Sequence, residues 1–247
     1  MLRDAARIDS IQQALREDGL DTLVCSLPAN VLLLTGYWPV AGNSLAIVAP
    51  GPRTVLIVPE DEGDLARHGW ADEVRTFQPG SLEDLRTPEE AIRCPLGEVS
   101  GSLGIGCQRV GFESGGMVEP ASYAAMHLFG ATILILLGEA FPSARLIPAS
   151  ETLSRLRSVK TQVEIDRIRE ACRIAAVAFQ QGASLLGAGL AEIQAAEQFQ
   201  RGLGDIGSLA LPGRSGGFAW CMSGPNAAKA CAAYARSGQR VLARGDL

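Results

Sequence analysis

The chain has 247 residues, 47% hydrophobic and 20% charged, with 22 Lys and Arg against 27 Asp and Glu, a formal charge of −5. That apolar content excludes a disordered chain, which buries too little surface to offset its ordering entropy, and the length allows one large domain or two modest ones. No Lys/Arg-rich run appears, so the basic footprint of a nucleic-acid partner is absent.

The first seven residues, Met1–Arg7, are charged and lack an apolar signal core. Residues Ala6 to Asp18 place Ile8, Ile11, Ala14 and Leu15 at helical spacing, and Gly19 follows as a C-terminal stop. Leu20 to Ser26 is short and apolar, suited to a buried strand. Pro28-Ala29-Asn30 opens a segment leading to Leu34-Thr35-Gly36-Tyr37. Leu45 to Ala49 and Thr54 to Val58 flank Pro50-Gly51-Pro52-Arg53, a strong turn signal, and read as a β-hairpin. Glu62 to His68 reads as a helix, and Glu73 to Phe77 as a strand. Pro79 to Gly106 is weakly patterned, with a helix expected around Leu82 to Ile92 and a loop after it. Arg109 to Phe112 reads as a strand, Pro120 to Leu128 as a helix and Arg145 to Ala149 as a strand. The stretch Leu128 to Gly138 holds eleven uncharged residues, about half of the roughly twenty a membrane span needs, and reads as a buried helix or a helix entering a core strand. No membrane partner is expected.

The pattern changes near Ser150. Glu164, Ile165, Ile168, Ala171, Cys172, Ala175, Ala176 and Phe179 form one helical stripe, with Asp166, Arg167, Glu170 and Arg173 outside it. Gly187-Ala188-Gly189 breaks that helix, and Leu190 to Leu203 forms another. From Gly213 onward, frequent glycines and short apolar runs suggest strands joined by tight turns. Two domains are expected, 1–150 and 151–247, joined around Ser150 to Leu156.

Few motifs carry chemistry. Gly213-Arg214-Ser215-Gly216-Gly217 fits G-x-S-x-G, but a strand follows where the nucleophile elbow needs a helix, and both His68 and His127 precede the serine. Gly101 to Gly106 has the spacing G-x-x-G-x-G, not the dinucleotide fingerprint. The cysteines at 25, 94, 107, 172, 221 and 231 form no C-x-x-C pair and read as reduced residues of a cytoplasmic protein. Glu60-Asp61-Glu62 with Asp64 is explained by a helix dipole, which favours negative charge at its start. Glu89-Glu90 and Glu192/Glu197 read as solvated helix faces. No grouping of His and carboxylates makes a metal site.

Four places together resemble the pita-bread metallopeptidase family of aminopeptidase P, prolidase and creatinase. They are Leu34-Thr35-Gly36-Tyr37; Leu153 to Ala175, with its Leu-Arg-x-x-Lys-Thr-x-x-Glu-Ile core; Gly189 with Glu192; and Ser223-Gly224-Pro225-Asn226 followed by Gly245-Asp246. The resemblance implies an α/β creatinase-like N-terminal domain, a mixed sheet flanked by helices, followed by the first part of an α+β pita-bread domain. It implies a cytoplasmic, Xaa-Pro aminopeptidase/prolidase-like hydrolase of small peptides, a homodimer or a partner of a relative. In a full-length relative, two Asp, one His and two Glu hold two divalent metals, Mn, Co or Zn, which generate the attacking hydroxide. By the resemblance those ligands lie beyond Gly245-Asp246. The chain as given is therefore expected to be truncated before them, to bind no metal, to hold no catalytic residue and to be inactive. Asn226 is the substrate-binding candidate by position. So is Tyr234, which stands where family peptidases carry a substrate-binding His. A phenol does not shuttle protons near neutral pH as imidazole does. A non-catalytic binding or dimerisation protein and a creatinase-like C–N hydrolase are the other readings. An incomplete reading frame also accounts for the ending at Leu247. The helices of 151–247 are expected to expose apolar faces and to be less protected in hydrogen exchange than 1–150.

Overall fold

The computed structural model describes residues 3–40, 43–49, 51, 53–103, 108–114, 130–210, 217–230 and 236–246, with the backbone alone at 131 and 204–210. The chain divides into two compact units, Met1–Thr161 and Gln162–Leu247. Sequence placed the join around Ser150 to Leu156. The first unit runs further because α6 (Ser150–Ser158) packs into it through Leu153 and Leu156.

The first unit is a six-stranded mixed sheet. Its strands are β1 (Thr22–Cys25), β2 (Leu45–Val48), β3 (Thr54–Pro59), β4 (Glu73–Phe77), β5 (Arg109–Phe112) and β6 (Arg145–Pro148), in the order β4-β3-β2-β1-β5-β6. β1, β2 and β3 form an antiparallel meander, with Val24 opposite Ile47 and Ala46 opposite Leu56. The β3–β4, β1–β5 and β5–β6 pairs are parallel. Because successive side chains point to opposite faces, each central strand feeds two cores. Leu23, Cys25, Ala46, Val48, Leu56 and Val58 join one face, packed by α1 (Ala5–Asp18), α2 (Pro28–Thr35) and α6. Val24, Leu45, Ile47, Val55 and Ile57 join the other, packed by α4 (Pro88–Leu103) and α5 (Ala131–Ala140). That double burial is why these strands read as continuous apolar runs.

Local signals set most boundaries. Asp4 caps α1 by accepting from the Arg7 amide at 3.0 Å, and Gly19 closes it in the left-handed region at φ 61°. Gly36 closes α2 at φ 70°. The hairpin and the strands at 73–77, 109–112 and 145–148 form where expected. The apolar stretch ending at Gly138 is helical across α5. The expected helix over Leu82 to Ile92 is displaced. Residues 82–84 bend and 85–87 are irregular, and α4 starts at Pro88, behind Thr87. The Thr87 amide donates to the Glu90 carboxylate at 2.8 Å and the Glu90 amide reaches back to the Thr87 hydroxyl at 3.4 Å, a capping box. The expected helix at Pro120 to Leu128 lies outside the described residues.

The acidic cluster at 60–64 differs in part from the dipole reading. A 3-10 turn (Glu60–Glu62) and α3 (Gly63–Ala66) form there, but Glu62 is buried. It accepts from the Val40 amide at 2.9 Å and from the Tyr37 hydroxyl. This fixes the chain leaving Gly36.

The two ends of the first unit are fastened together. The buried Arg7 donates to the Leu156 carbonyl at 2.8 Å and the Val159 carbonyl at 2.7 Å. The Thr161 hydroxyl donates to Asp4 at 2.5 Å, and Arg155 pairs with Asp18 at 2.8 Å. These bonds satisfy carbonyls that the end of α6 leaves without helical partners.

In the second unit, α7 (Gln162–Ser184) packs on α8 (Glu192–Ala210). Phe179 and Phe199 meet at 5.1 Å between ring centroids, and a Cβ on Gly182 would lie 2.3 Å from the Phe199 ring. Strands were expected from Gly213 onward. Among the described residues there, only an antiparallel bridge between Ala191 and Val241 and a 3-10 turn (Gly224–Lys229) form. Backbone pairing is confined to 189–193 against 238–242, where the Glu192 amide donates to Arg240 at 2.9 Å and Leu242 to Leu190 at 2.8 Å. The expected apolar exposure is present: Phe179 is 61% exposed and Trp220 60%. No described helix is long and apolar enough to cross a membrane.

Candidate functional site

The second unit is organised on one carboxylate. Gly189, at φ 99°, turns the chain out of the α7–α8 connection, and Glu192 then begins α8. Its side chain is fully buried, which corrects the reading of Glu192 as a solvated helix residue. Glu192 Oε1 accepts from the Ser223 amide at 2.8 Å, the Ser223 hydroxyl at 3.1 Å and Asn226 Nδ2 at 3.0 Å. Oε2 accepts from the Gly238 amide at 3.1 Å and lies 3.2 Å from Asn226 Nδ2. Burial pushes the Glu192 carboxyl up. The donors at Ser223, Asn226 and Gly238 outweigh it, so the group lies below its ordinary value and is ionised at neutral pH.

Ser223 passes the network on. Arg240 Nη1 donates to its hydroxyl oxygen at 2.6 Å, and the guanidinium grips Asp246 in a two-point pair at 2.7 and 2.8 Å. Asp246 also accepts from the Ala243 amide at 2.7 Å, closing the turn at Gly245, φ 93°. The Arg240 hydrogen bond, then the Ala243 amide, hold Asp246 below the usual carboxylate range. Gly224 sits against this pair at φ 48°. A Cβ there would lie 2.5 Å from Arg240 and 2.6 Å from Asp246, so a side chain would displace that pair as well as strain the backbone. The sequence marks Ser223-Gly224, Asn226 and Gly245-Asp246 are thus joined through Glu192 and Arg240. Arg240 was not singled out from the sequence. Asn226 commits its amide nitrogen to Glu192. Tyr234, the other substrate-binding candidate, lies outside the described residues, as do His127 and the G-x-S-x-G serine.

The first unit repeats the device. Buried Glu113, at the end of β5, accepts from the Ser26 amide at 2.8 Å, the Leu27 amide at 3.0 Å and Asn30 Nδ2 at 2.7 Å. Arg157 donates to Asn30 Oδ1 at 2.5 Å. Ser26-Leu27-Pro28-Ala29-Asn30 and Ser223-Gly224-Pro225-Asn226 are both serine–proline–asparagine helical starts capped by a distant glutamate. Glu192 also stood out with Gly189 by resemblance; the serine–proline–asparagine recurrence is a further signal, shared by both acids.

Beside the Glu192 network lies an open groove of about 750 Å³, lined by Ile193, Ala196, Glu197, Gln200 and Arg201 of α8, and by Ala219, Trp220, Arg236 and Ser237. The Cys221 amide donates to Ser237 at 2.8 Å, tying its two outer walls together. Burial, then the charge of Glu192, push the Cys221 thiol up, so it is a poor nucleophile at neutral pH. Cys25, Cys94 and Cys172 are free as well, and Cys107 and Cys231 lie outside the described residues. His68 is exposed and its Nδ1 lies 2.8 Å from the Asp64 carbonyl. Among the described residues no three His, Cys, Asp or Glu side chains come together to hold a metal ion, so no metal-dependent step is assigned to them.

Residues 7–159 match the family described as the creatinase/prolidase N-terminal domain. Over 200 residues the chain is 25% identical to the uncharacterized peptidase YqhT of Bacillus subtilis (strain 168), covering 78% of this chain and 47% of that one. The prolidase from Thermococcus sibiricus superposes with a TM-score of 0.70 at 18% identity, over 100% of this chain and 60% of its own. The prolidase from Pyrococcus horikoshii OT3 gives 0.64 at 18% identity, over 98% and 58%. The Xaa-Pro dipeptidase from Bacillus anthracis gives 0.63 at 20% identity, over 98% and 58%. The chain thus spans about half to three fifths of the length of these proteins. The fold is the expected one, a mixed sheet flanked by helices in a creatinase-like N-terminal domain, followed by the first part of a pita-bread domain. The chain belongs to the creatinase/prolidase N-terminal domain family, within the pita-bread group of aminopeptidase P and prolidase.

Proposed function

We propose that this chain is an Xaa-Pro aminopeptidase/prolidase-like protein that supplies a scaffold for hydrolysis of small peptides in the cytoplasm. The match across residues 7–159 carries the reading. A divalent metal, Mn, Co or Zn, would supply the hydroxide, held by ligands outside the described residues. The part of this chain is to hold the framework. Glu192 and Arg240 fix the 223–229 turn against the 236–246 segment, so that a rigid wall stands beside the groove. Asn226 then acts on substrate through the turn it holds, and Tyr234 is carried as a substrate-binding residue by its position in the sequence alone.

The chain on its own does not hydrolyse peptides in this reading, because Glu192 and Asp246 are both committed to structural bonds. The purified chain, loaded with Mn²⁺ or Co²⁺ and given Xaa-Pro dipeptides and tripeptides, is expected to match a metal-only blank. Chelator-sensitive turnover would show that the chain carries a complete centre. Turnover that ignores metal would overturn the metal-dependent mechanism itself. A second reading, a non-catalytic binding or dimerisation protein, is favoured by the first unit, whose six-stranded sheet buries both faces of its central strands.

A further inference from the structure

Val159, Lys160 and Thr161 separate the end of α6 from the start of α7 and belong to neither helix. Val159 is extended, at φ −100° and ψ 112°, and 73% exposed, and Lys160 is exposed beside it. Backbone outside a helix opens to solvent at little cost unless other bonds hold it. Lys160 makes a local contact, its ammonium donating to the Arg157 carbonyl.

Two further anchors of this short joint come from the other end of the first unit. Arg7 donates to the Val159 carbonyl at 2.7 Å and to the Leu156 carbonyl at 2.8 Å. Asp4 divides its carboxylate. One oxygen caps α1 on the Arg7 amide at 3.0 Å, and the other accepts from the Thr161 hydroxyl at 2.5 Å. Both side chains are buried, Asp4 at 2% exposure and Arg7 at 1%. They lie within one turn at the start of α1, and the cap joins them, so losing that turn loses both anchors together. Arg3 pairs with Asp72 at 2.8 Å and steadies the same turn from outside.

We propose that the first turn of α1 is a latch on the Val159–Thr161 joint. Closed, it holds the joint in one conformation and keeps the Lys160–Thr161 peptide bond from proteases. Opened, by fraying or by trimming of residues 1–7, it releases the joint while the six-stranded sheet stays folded. The N-terminus thereby governs a bond more than 150 residues away without touching the sheet. The latch uses no catalytic group and does not depend on the peptidase reading.

Limited trypsin digestion of the whole chain tests it, read by mass spectrometry as the rate at which the fragment beginning at Thr161 appears. Each rate is divided by that of a synthetic peptide spanning 155–166 of the same variant, which removes the protease's own preference. Cleavage of a transiently opened segment tracks the population of its open form. Arg7→Met keeps the length of the side chain but removes its charged donors, and is expected to raise cleavage after Lys160 about tenfold or more. Thr161→Val removes one hydroxyl outside both helices and is expected to raise it about fivefold. Cleavage after Arg75, in β4, is expected to stay at the wild-type rate in both variants, which also shows that the sheet is folded. Cleavage after Lys160 that is unchanged in both variants, or that rises in step with cleavage after Arg75, would overturn the latch.

Discussion

Glu192 and Ser223, 31 residues apart in sequence, are joined by two hydrogen bonds into a single carboxylate oxygen, from the Ser223 amide and from its hydroxyl. The acid stands at the first turn of α8, where the helix dipole favours negative charge. It is also the point at which three stretches of chain meet: the start of α8, the 223–229 turn and the 236–246 segment. Few regular backbone bonds hold those stretches, so one side chain carries much of the connection.

The Glu192 network of the second unit is expected to loosen in acid. The Glu192 carboxyl lies below its ordinary value despite burial, and Asp246 is lowered by Arg240. A group lowered in the folded state gives stability that is full above its unfolded value and is lost as pH falls through its folded value. Both groups therefore withdraw support below the ordinary carboxylate range. The Gly238 amide resonance, followed by NMR through an acid titration, is expected to move while β2 resonances hold. A Gly238 signal that changes only with global unfolding would contradict this.

Gly36→Ala is expected to destabilise the first unit. The residue lies at φ 70°, and its Cβ would stand 2.2 Å from the Trp70 ring. That ring is held by its indole N–H on the Leu34 carbonyl at 3.1 Å and its backbone amide on Thr35 at 2.7 Å, so it cannot yield freely. A cost of about 1–3 kcal/mol, or several degrees in melting temperature, is expected. Gly97→Ala, in α4 with open space around it, is expected to stabilise by about 0.5–1 kcal/mol. Paired thermal melts decide both, and equal melting temperatures would remove the steric argument.

Replacing Glu113 tests the twin device of the first unit. Glu113→Ala removes the carboxylate that accepts from the amides of Ser26 and Leu27 and from the Asn30 side chain, all buried. Each buried donor left without a partner costs on the order of 1–3 kcal/mol. Glu113→Gln keeps the shape but turns a donor toward donors, and recovers only part of the loss. Urea unfolding measures the series, and a glutamine variant as stable as wild type would deny the charge its role.

Much of the first unit was legible because its signals are local. Gly19 and Gly36 end helices by their backbone freedom, and 50–53 reads as a turn from Pro and Gly alone. Val24, Ile47 and Leu56 read as strand because both faces of the sheet are buried. The start of α4 was misplaced by six residues although Thr87-Pro88-Glu89-Glu90 spells a capping box, since the apolar pattern upstream drew the boundary to Leu82. The Glu192 network was legible only in pieces. Ser223, Asn226, Asp246 and Glu192 itself stood out by resemblance, but the burial of Glu192 did not, because an acid on a helix reads as solvated whenever its partners lie far away in sequence. Glu113, 83 residues from Asn30, is hidden for the same reason. Strand patterns after Gly213 misled because, among the described residues there, side-chain bonds to Glu192 and Arg240 stand in place of a ladder.

Site-resolved amide exchange in Glu192→Ala against wild type most directly tests whether this carboxylate organises the second unit. Ser223 and Gly238 are expected to lose protection by a large factor, on the order of tenfold or more, as a bond to a charged group is removed. The amides of β1, β2 and β3 are expected to keep theirs. Unchanged protection at Ser223 and Gly238, with the substitution confirmed and the first unit folded, would contradict the role given to Glu192.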